Sequence, residues 1–130
     1  MKTIMSTLFF AFAVFAASQA QSINNPQLVF KTDTHDFGEV KQGTETIYEF
    51  VFENKGSTPL IISNVEKQCG CTTPEWTYKP IKPGEKGVII VKYDSNRIGP
   101  FNKSVTVHSN DSDNPQLILK IRGNVIGTDK

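Results

Sequence analysis

The amino-acid sequence predicts an all-β fold, an immunoglobulin-like β-sandwich of about seven strands that follows a cleavable signal peptide. Three observations support this prediction: apolar and polar residues alternate in short segments, turn residues separate those segments, and the N-terminus is apolar. No segment shows helical periodicity over ten residues. Short alternating segments with regular turn signals are typical of two packed antiparallel sheets.

The first twenty residues have the pattern of a secretory signal. Lys2 precedes an apolar run from Leu8 to Ala17, and the small side chains of Ser18 and Ala20 predict cleavage before the next residue. The run is shorter than a membrane span, which needs about 20 residues. We therefore expect an exported protein, periplasmic or secreted, with no membrane span after cleavage of the signal.

The charge balance argues against nucleic-acid binding. Lys2 is the only charged residue of the signal, so the remaining chain holds equal numbers of basic and acidic side chains. Nucleic-acid-binding domains usually carry a basic excess. The remaining length suits one domain with its own core, predicted over residues 26–126 behind a signal of residues 1–20.

Alternation is clearest in segment 44–54, where aromatic residues occupy one face and glutamates the other. Six further segments have a strand pattern: 27–31, 35–40, 59–65, 86–94, 101–110 and 117–125. Between them lie glycine, asparagine and aspartate, which accept positive φ, and proline, which fixes φ. The expected core is the inward set Phe50, Phe52, Ile62, Ile89, Val91, Tyr93, Val105, Val107, Leu119 and Ile121.

Several motifs follow one another along the chain. They are His35-Asp36-Phe37-Gly38, Cys69-Gly70-Cys71-Thr72, Pro83-Gly84-Glu85 and the closing Ile121-Arg122-Gly123-Asn124-Val125. With these motifs the sequence from Phe30 to Val125 resembles the DUF1573 family of bacterial exported proteins, which is common in Bacteroidetes and related in architecture to ASH and MSP-type domains. The resemblance implies an immunoglobulin-like sandwich. It implies no biochemical function, because a fold does not define one.

Cys69 and Cys71 are the most distinctive chemical feature, and three roles fit them. The pair can be structural, as packed thiols or as a small-ring disulfide for which Gly70 permits a distorted backbone. It can be redox-active, because so small a ring recovers little chain entropy and would be easily reduced. It can also hold Cu(I), a soft metal that two thiolates bind, with a histidine, water or a second chain as further ligand.

Two residues are candidate neighbours of this pair. His35 is one of only two histidines, and we expect it to bond main-chain groups rather than a metal. Trp76 fits either a core tryptophan lying over the cysteine loop or a surface aromatic platform for a glycan or peptide.

Catalytic templates are missing from the sequence, which has no G-x-S-x-G, H-E-x-x-H or phosphate-binding motif. Glu49 and Glu53 alternate with core residues, so they predict a solvated strand face rather than the carboxylate pair of a glycosidase. The sequence therefore predicts a non-enzymatic module without a cofactor. Such a module would bind an unknown protein or envelope component through a sheet edge such as Gln27–Lys31. Thiol redox chemistry or Cu(I) binding at Cys69 and Cys71 is the alternative function.

Overall fold

A computed structural model gives the structure of residues 24–128. The signal peptide expected over residues 1–20 lies outside the described residues. Eight strands form two four-stranded sheets, and their bounds are β1 Leu28–Phe30, β2 Thr34–Lys41, β3 Thr46–Asn54, β4 Ile62–Lys67, β5 Thr72–Trp76, β6 Lys86–Tyr93, β7 Gly99–Ser109 and β8 Gln116–Ile126. The predicted all-β, immunoglobulin-like sandwich is confirmed. Within residues 24–128 there is no helix long and apolar enough to cross a membrane.

The chain crosses from one sheet to the other at both edges of the sandwich. The first sheet has the order β1-β3-β6-β5 and the second has the order β2-β8-β7-β4. All pairs are antiparallel except β2 with β8, which run parallel. The chain passes between the sheets at five connections, and two of these, β1 to β2 and β4 to β5, join the edge strands of the two sheets. These two crossovers therefore lie at opposite edges of the molecule.

The strand that the sequence does not predict is β5. Its five residues contain Pro74, which cannot donate a ladder hydrogen bond, and they follow directly on the cysteine turn. Neither a clean alternation nor a β-branched run marks the segment. Its pairing with β6, with Trp76 opposite Ile89, brings the count to eight strands instead of about seven.

Alternation along the strands places one apolar core between the sheets. All ten predicted core residues are buried, each with 5% exposure or less. Aromatic rings link the sheets, since Tyr93 of β6 stacks on Phe101 of β7 with ring centroids 3.8 Å apart. Burial raises the pKa of the Tyr93 hydroxyl above its usual value.

Asn54 is a buried polar residue that joins three segments. Its side-chain nitrogen donates to Thr58 O at 2.8 Å and to Ile81 O at 2.9 Å. Its side-chain oxygen accepts from Gln27 N at 3.2 Å and from Gly56 N at 2.9 Å. The amide is completely buried, and every bond goes to main chain. Asn54 therefore fixes the segment that leads into β1.

Asp111 anchors β1 from the second sheet. The sequence places Asp111 in a polar turn, and the structure keeps the turn but leaves the residue only 2% exposed. One carboxylate oxygen accepts from Leu28 N of β1 at 3.0 Å. The other accepts from Asp113 N and Asn114 N within the turn itself, at 3.0 and 3.2 Å. A buried carboxylate needs such partners, and here they tie the first strand to the β7–β8 turn.

Candidate functional site

The sandwich is open where the chain crosses from β1 to β2. β1 ends at Phe30, and β2 begins at Thr34, opposite Lys120 of β8. The first residues of β8, from Gln116 onward, therefore have no strand beside them on this side. A cleft of about 500 Å³ lies there, lined by residues 28–33 and by Leu117 and Ile118. We call this cleft the β1/β8 notch.

Unpaired main chain of β8 forms one wall of the notch. Lys120 N donates to Asp33 O at 2.8 Å, so the main-chain groups of even-numbered residues in this part of β8 face the β2 side. On the other side, Ser109 N donates to Pro115 O, which directs the odd-numbered residues to β7. The N–H and C=O of Ile118 therefore face the notch. No group within residues 24–128 pairs with them.

The opposite wall is the free edge of β1. Lys31 N donates to Val51 O at 3.0 Å, which directs the main-chain groups of odd-numbered β1 residues toward β3. The groups of Leu28 and Phe30 therefore face outward. Leu28 N is held by Asp111, whereas the main chain of Phe30 has no partner among the described residues. Both walls of the notch thus offer backbone groups that remain free to bind.

Apolar side chains accompany these backbone groups. Ile118 is 54% exposed and Val29 is 39% exposed, and both border the cleft. Lys31 and Asp33 add one charge of each sign at the rim. An apolar surface with a polar rim is typical of a binding site rather than of a scattered surface residue.

Features that discourage strand addition occur on the remaining edge strands. β5 carries Pro74 at a position whose main chain faces away from β6. β2 is interrupted by a bulge between Asp36 and Glu39, where Gly38 has a φ of 66°. β4 has a register shift between Ile62 and Asn64. Proline and bulges protect sheet edges from pairing with other strands. The notch is therefore less protected against strand addition than the edges of β2, β4 and β5.

Cys69 and Cys71 lie in the turn between β4 and β5. Their sulfur atoms are at disulfide-bonding distance and their Cα atoms are 5.3 Å apart. Cys71 is 2% exposed and belongs to the core, whereas Cys69 is half-buried. By the loop-entropy relation, a ring of about three residues stabilises the fold by only about 1.6 kcal/mol. The turn thus gains little stability from the sulfur–sulfur bond.

Gly70 does not have the role that the sequence indicated. The sequence predicts that glycine stands between the cysteines because a small-ring disulfide needs a distorted backbone. Its φ is not in the positive range, and a Cβ added there would meet nothing within 4 Å. The two sulfurs therefore come together without a positive φ at Gly70, and the space around Gly70 is open.

The structure does not bring His35 to the cysteine pair. β2 and β4 are the two outer strands of the second sheet, three strand spacings or roughly 14 Å apart. His35 stacks on Tyr48 with ring centroids 3.7 Å apart and packs edge-on against Phe37. Burial lowers the pKa of His35, and the negative charge of Asp36 partly opposes this. His35 packs among aromatic rings and has no ring-nitrogen hydrogen bond to main chain in the described structure.

Asp36 turns outward beside this aromatic group. One carboxylate oxygen accepts from Gly38 N at 2.8 Å, and the other accepts from Arg122 Nε at 3.0 Å. The Gly38 hydrogen bond, with the Arg122 charge, lowers the pKa of Asp36 below its usual value. Asp36 therefore connects the bulge of β2 to β8.

Trp76 does not cover the cysteines either. It ends β5, five residues after Cys71, which corresponds to roughly 16 Å along an extended strand. Its indole is half-buried against the core, and its buried Nε1 has no hydrogen-bond partner among residues 24–128. Tyr78 lies beside it with ring centroids 5.0 Å apart and is 75% exposed. Trp76 thus packs on the core while Tyr78 faces solvent.

Metal ligands do not converge around the cysteines. Among residues 24–128, no three His, Cys, Asp or Glu side chains lie together as a metal site would require. Cu(I) binding by the reduced pair stays a prediction from the sequence.

The fold is an immunoglobulin-like sandwich, and solved ASH/PapD-like domains and chaperones have similar structures. The ASH/PapD-like domain 7 of human CEP192 is similar, with a TM-score of 0.67 and 9% identity over 82% of this chain and 89% of that domain. The chaperone YadV is similar with a TM-score of 0.55 and 14% identity, over 79% of this chain and 54% of that one. Two Vibrio cholerae proteases also match, but this chain spans only 32% and 24% of them. At these identities the likeness concerns the fold alone.

The model of the DUF1573 family, described as a protein of unknown function, matches residues 28–125. The chain belongs to this family. A protein of unknown function from Porphyromonas gingivalis W83 has a similar structure, with a TM-score of 0.70 and 17% identity over 84% of this chain. This chain spans about half of that protein, 51% of its length. No curated protein matches the sequence.

Proposed function

We propose that this protein is an exported, non-enzymatic binding module that takes up an extended segment of a partner protein in the β1/β8 notch. The observation that carries the proposal is the unpaired main chain of Ile118 beside the late start of β2. A strand edge with free N–H and C=O groups binds another strand through main-chain hydrogen bonds. An extended peptide supplies such groups at the right spacing, whereas a compact small molecule does not.

The dimensions of the notch set the length of the bound segment. The free part of β8 spans residues 116–119, about 13 Å at the rise of an extended strand. A segment of roughly four residues therefore fits before it meets the start of β2. Val29 and Ile118 favour apolar or β-branched side chains at alternate positions of the segment, because successive side chains of a strand point to opposite faces.

Two other observations support an interaction role over catalysis. The similar domain of CEP192 is described as ASH/PapD-like, and YadV is described as a chaperone. The expected signal peptide would deliver this protein to the periplasm or outside the cell, where an envelope protein is the natural partner. Cell fractionation with N-terminal sequencing of the mature chain tests the localisation.

Site-specific photo-crosslinking in the producing cell tests the binding site. A photoreactive amino acid replaces Ile118 in one variant and Ile98 in the control. Ile98 is 63% exposed and lies near the opposite end of β8, so it matches the probe position in exposure. We expect one protein to be captured from position 118 and not from position 98, through an extended segment of its chain. Equal capture from both positions would contradict the proposal.

Hydrogen exchange and a charge substitution complete the test with the captured protein in purified form. The amides of Phe30 and Ile118 should exchange at least tenfold more slowly in the complex. Ile118→Lys should weaken binding at least tenfold, because lysine on an edge disfavours strand addition. Ile98→Lys should leave the affinity within twofold. Capture of a second copy of this chain would refute the proposal that the partner is a different protein.

A further inference from the structure

We propose that Cys69 and Cys71 form a thiol-exchange site, in which an external thiol attacks Cys69 and releases Cys71. This activity lies outside the β1/β8 notch, at the opposite crossover of the sandwich. It depends on three features of the turn: the two cysteines differ in exposure, the outer side is open, and hydrogen bonds connect the turn to the sheets besides the sulfur–sulfur bond.

The difference in exposure selects the sulfur that reacts. Thiol–disulfide exchange requires a thiolate to approach one sulfur of the bond, so access decides which sulfur is attacked. Cys71 lies in the core with 2% exposure, and Cys69 is half-buried at its edge. Gly70 between them leaves open space on the solvent side. An external thiol therefore reaches Cys69 before it can reach Cys71.

The turn keeps its shape when the sulfurs separate. Cys69 O accepts from Thr72 N at 3.5 Å and from Thr72 Oγ1 at 3.3 Å. Cys71 O accepts from Asp94 N at 2.8 Å, which continues the pairing of β5 with β6. Gln68 accepts from both N and Oγ of Ser104 on β7. Both ends of the turn are thus fixed to the sheets, so exchange can occur in the folded protein.

The reaction balances with thiols as the only co-reactant. An external thiolate forms a bond to Cys69 Sγ, the bond between the cysteines breaks, and its electron pair leaves on Cys71 Sγ, which takes up a proton. A second external thiolate then attacks the bound thiol's sulfur and releases Cys69. Two thiols have then been oxidised to one disulfide, and the cysteine pair has been reduced to two thiols.

Mapping the mixed disulfide tests the proposal. The oxidised protein is mixed with reduced glutathione at neutral pH, then quenched in acid with urea and N-ethylmaleimide, and the peptides are analysed by mass spectrometry. We expect glutathione on Cys69 and maleimide on Cys71, in at least tenfold excess over the reverse arrangement. The same reaction in urea from the start should label the two cysteines within twofold, because unfolding removes the difference in exposure. Equal labelling of the folded protein would overturn the proposal.

Three further measurements identify the class of thiol that reacts and separate exchange in the folded state from exchange through unfolding. Reduced thioredoxin is used beside glutathione. Reaction with thioredoxin alone identifies protein thiols as the substrate, and reaction with both shows that small thiols are substrates too.

The reduced protein should keep its fold, with a Tm lowered by less than about 10 °C. Reaction with neither thiol, or a rate that follows the rate of global unfolding as urea is added, would overturn the proposal. Ile118→Lys should not change the exchange rate, which keeps this test independent of the notch.

Discussion

Replacing Asn54 by alanine is expected to destabilise the protein more than any surface substitution, because the amide is the sole partner of several main-chain groups. The side chain is fully buried and makes four hydrogen bonds. Ile81 O keeps a second bond, from Leu60 N at 2.8 Å. The alanine variant therefore leaves three groups without a partner: Gln27 N, Gly56 N and Thr58 O.

The expected loss follows from this count. These three bonds are part-buried, and a main-chain group that loses its hydrogen bond in such a site costs about 1 kcal/mol, the low end of the range for buried groups. Three such groups predict that Asn54→Ala lowers the free energy of unfolding by about 3 kcal/mol. Domains of this size are stable by roughly 5–15 kcal/mol, so the variant should still fold. Asn54→Asp should cost at least as much, because an oxygen would then face the carbonyls of Thr58 and Ile81.

Urea unfolding followed by fluorescence of Trp76 measures this loss. The midpoint should fall while the slope stays unchanged, since the substitution alters stability and not the surface exposed on unfolding. Asn102→Ala is the matched control, because Asn102 is exposed on β7, and it should stay within about 0.5 kcal/mol of the wild type. A loss below about 1 kcal/mol for Asn54→Ala would refute the reasoning, because the three groups would then have found other partners.

Three further predictions concern glycines and a histidine. Gly70→Ala should stabilise the protein by about 0.5 kcal/mol, because its φ suits alanine and nothing crowds the new methyl group; a loss in thermal unfolding would contradict this. Gly56→Ala should cost about 2 kcal/mol or more in the same assay, since a Cβ would collide with the main chain of Asn25; an unchanged Tm would show that the segment moves freely. Because burial lowers the pKa of His35 from 6.5, the unfolded chain takes up the proton first as the pH falls through this value, so stability should decrease. His35→Gln should remove this part of the pH dependence in urea unfolding, and an identical slope for both proteins would argue against it.

The alternation of the strands explains why the core could be predicted and also where polar exceptions could have been found. In β3 the inward positions are Phe50 and Phe52, and Asn54 follows on the same face. A polar residue at an inward position is a signal for a buried hydrogen-bonding role. In β8, Ile118 stands among the outward residues between Leu117 and Leu119. An apolar residue on the solvent face is likewise a signal for an exposed binding site.

The relative positions of the candidate residues could not be predicted, because they depend on sheet order. His35 lies on β2 at one edge of the sandwich, and Cys71 lies in the β4–β5 turn at the opposite edge. No local pattern in the sequence specifies which strands become neighbours. The buried hydrogen bond of Asp111 could not be predicted for the same reason, since its partner Leu28 is 83 residues away in the chain. A cluster of asparagine, aspartate and serine otherwise predicts a solvated turn.

The walls of the β1/β8 notch come from the first and the last strand of the domain. β2 pairs with β8 across a separation such as the 86 residues between Asp36 and Arg122. Contacts so distant in sequence form slowly, because the whole intervening loop must close first. A nascent chain that lacks β8 therefore has no notch, whatever the state of its other strands. Partner binding would therefore report that β8 has joined its sheet, since β8 forms one wall of the notch.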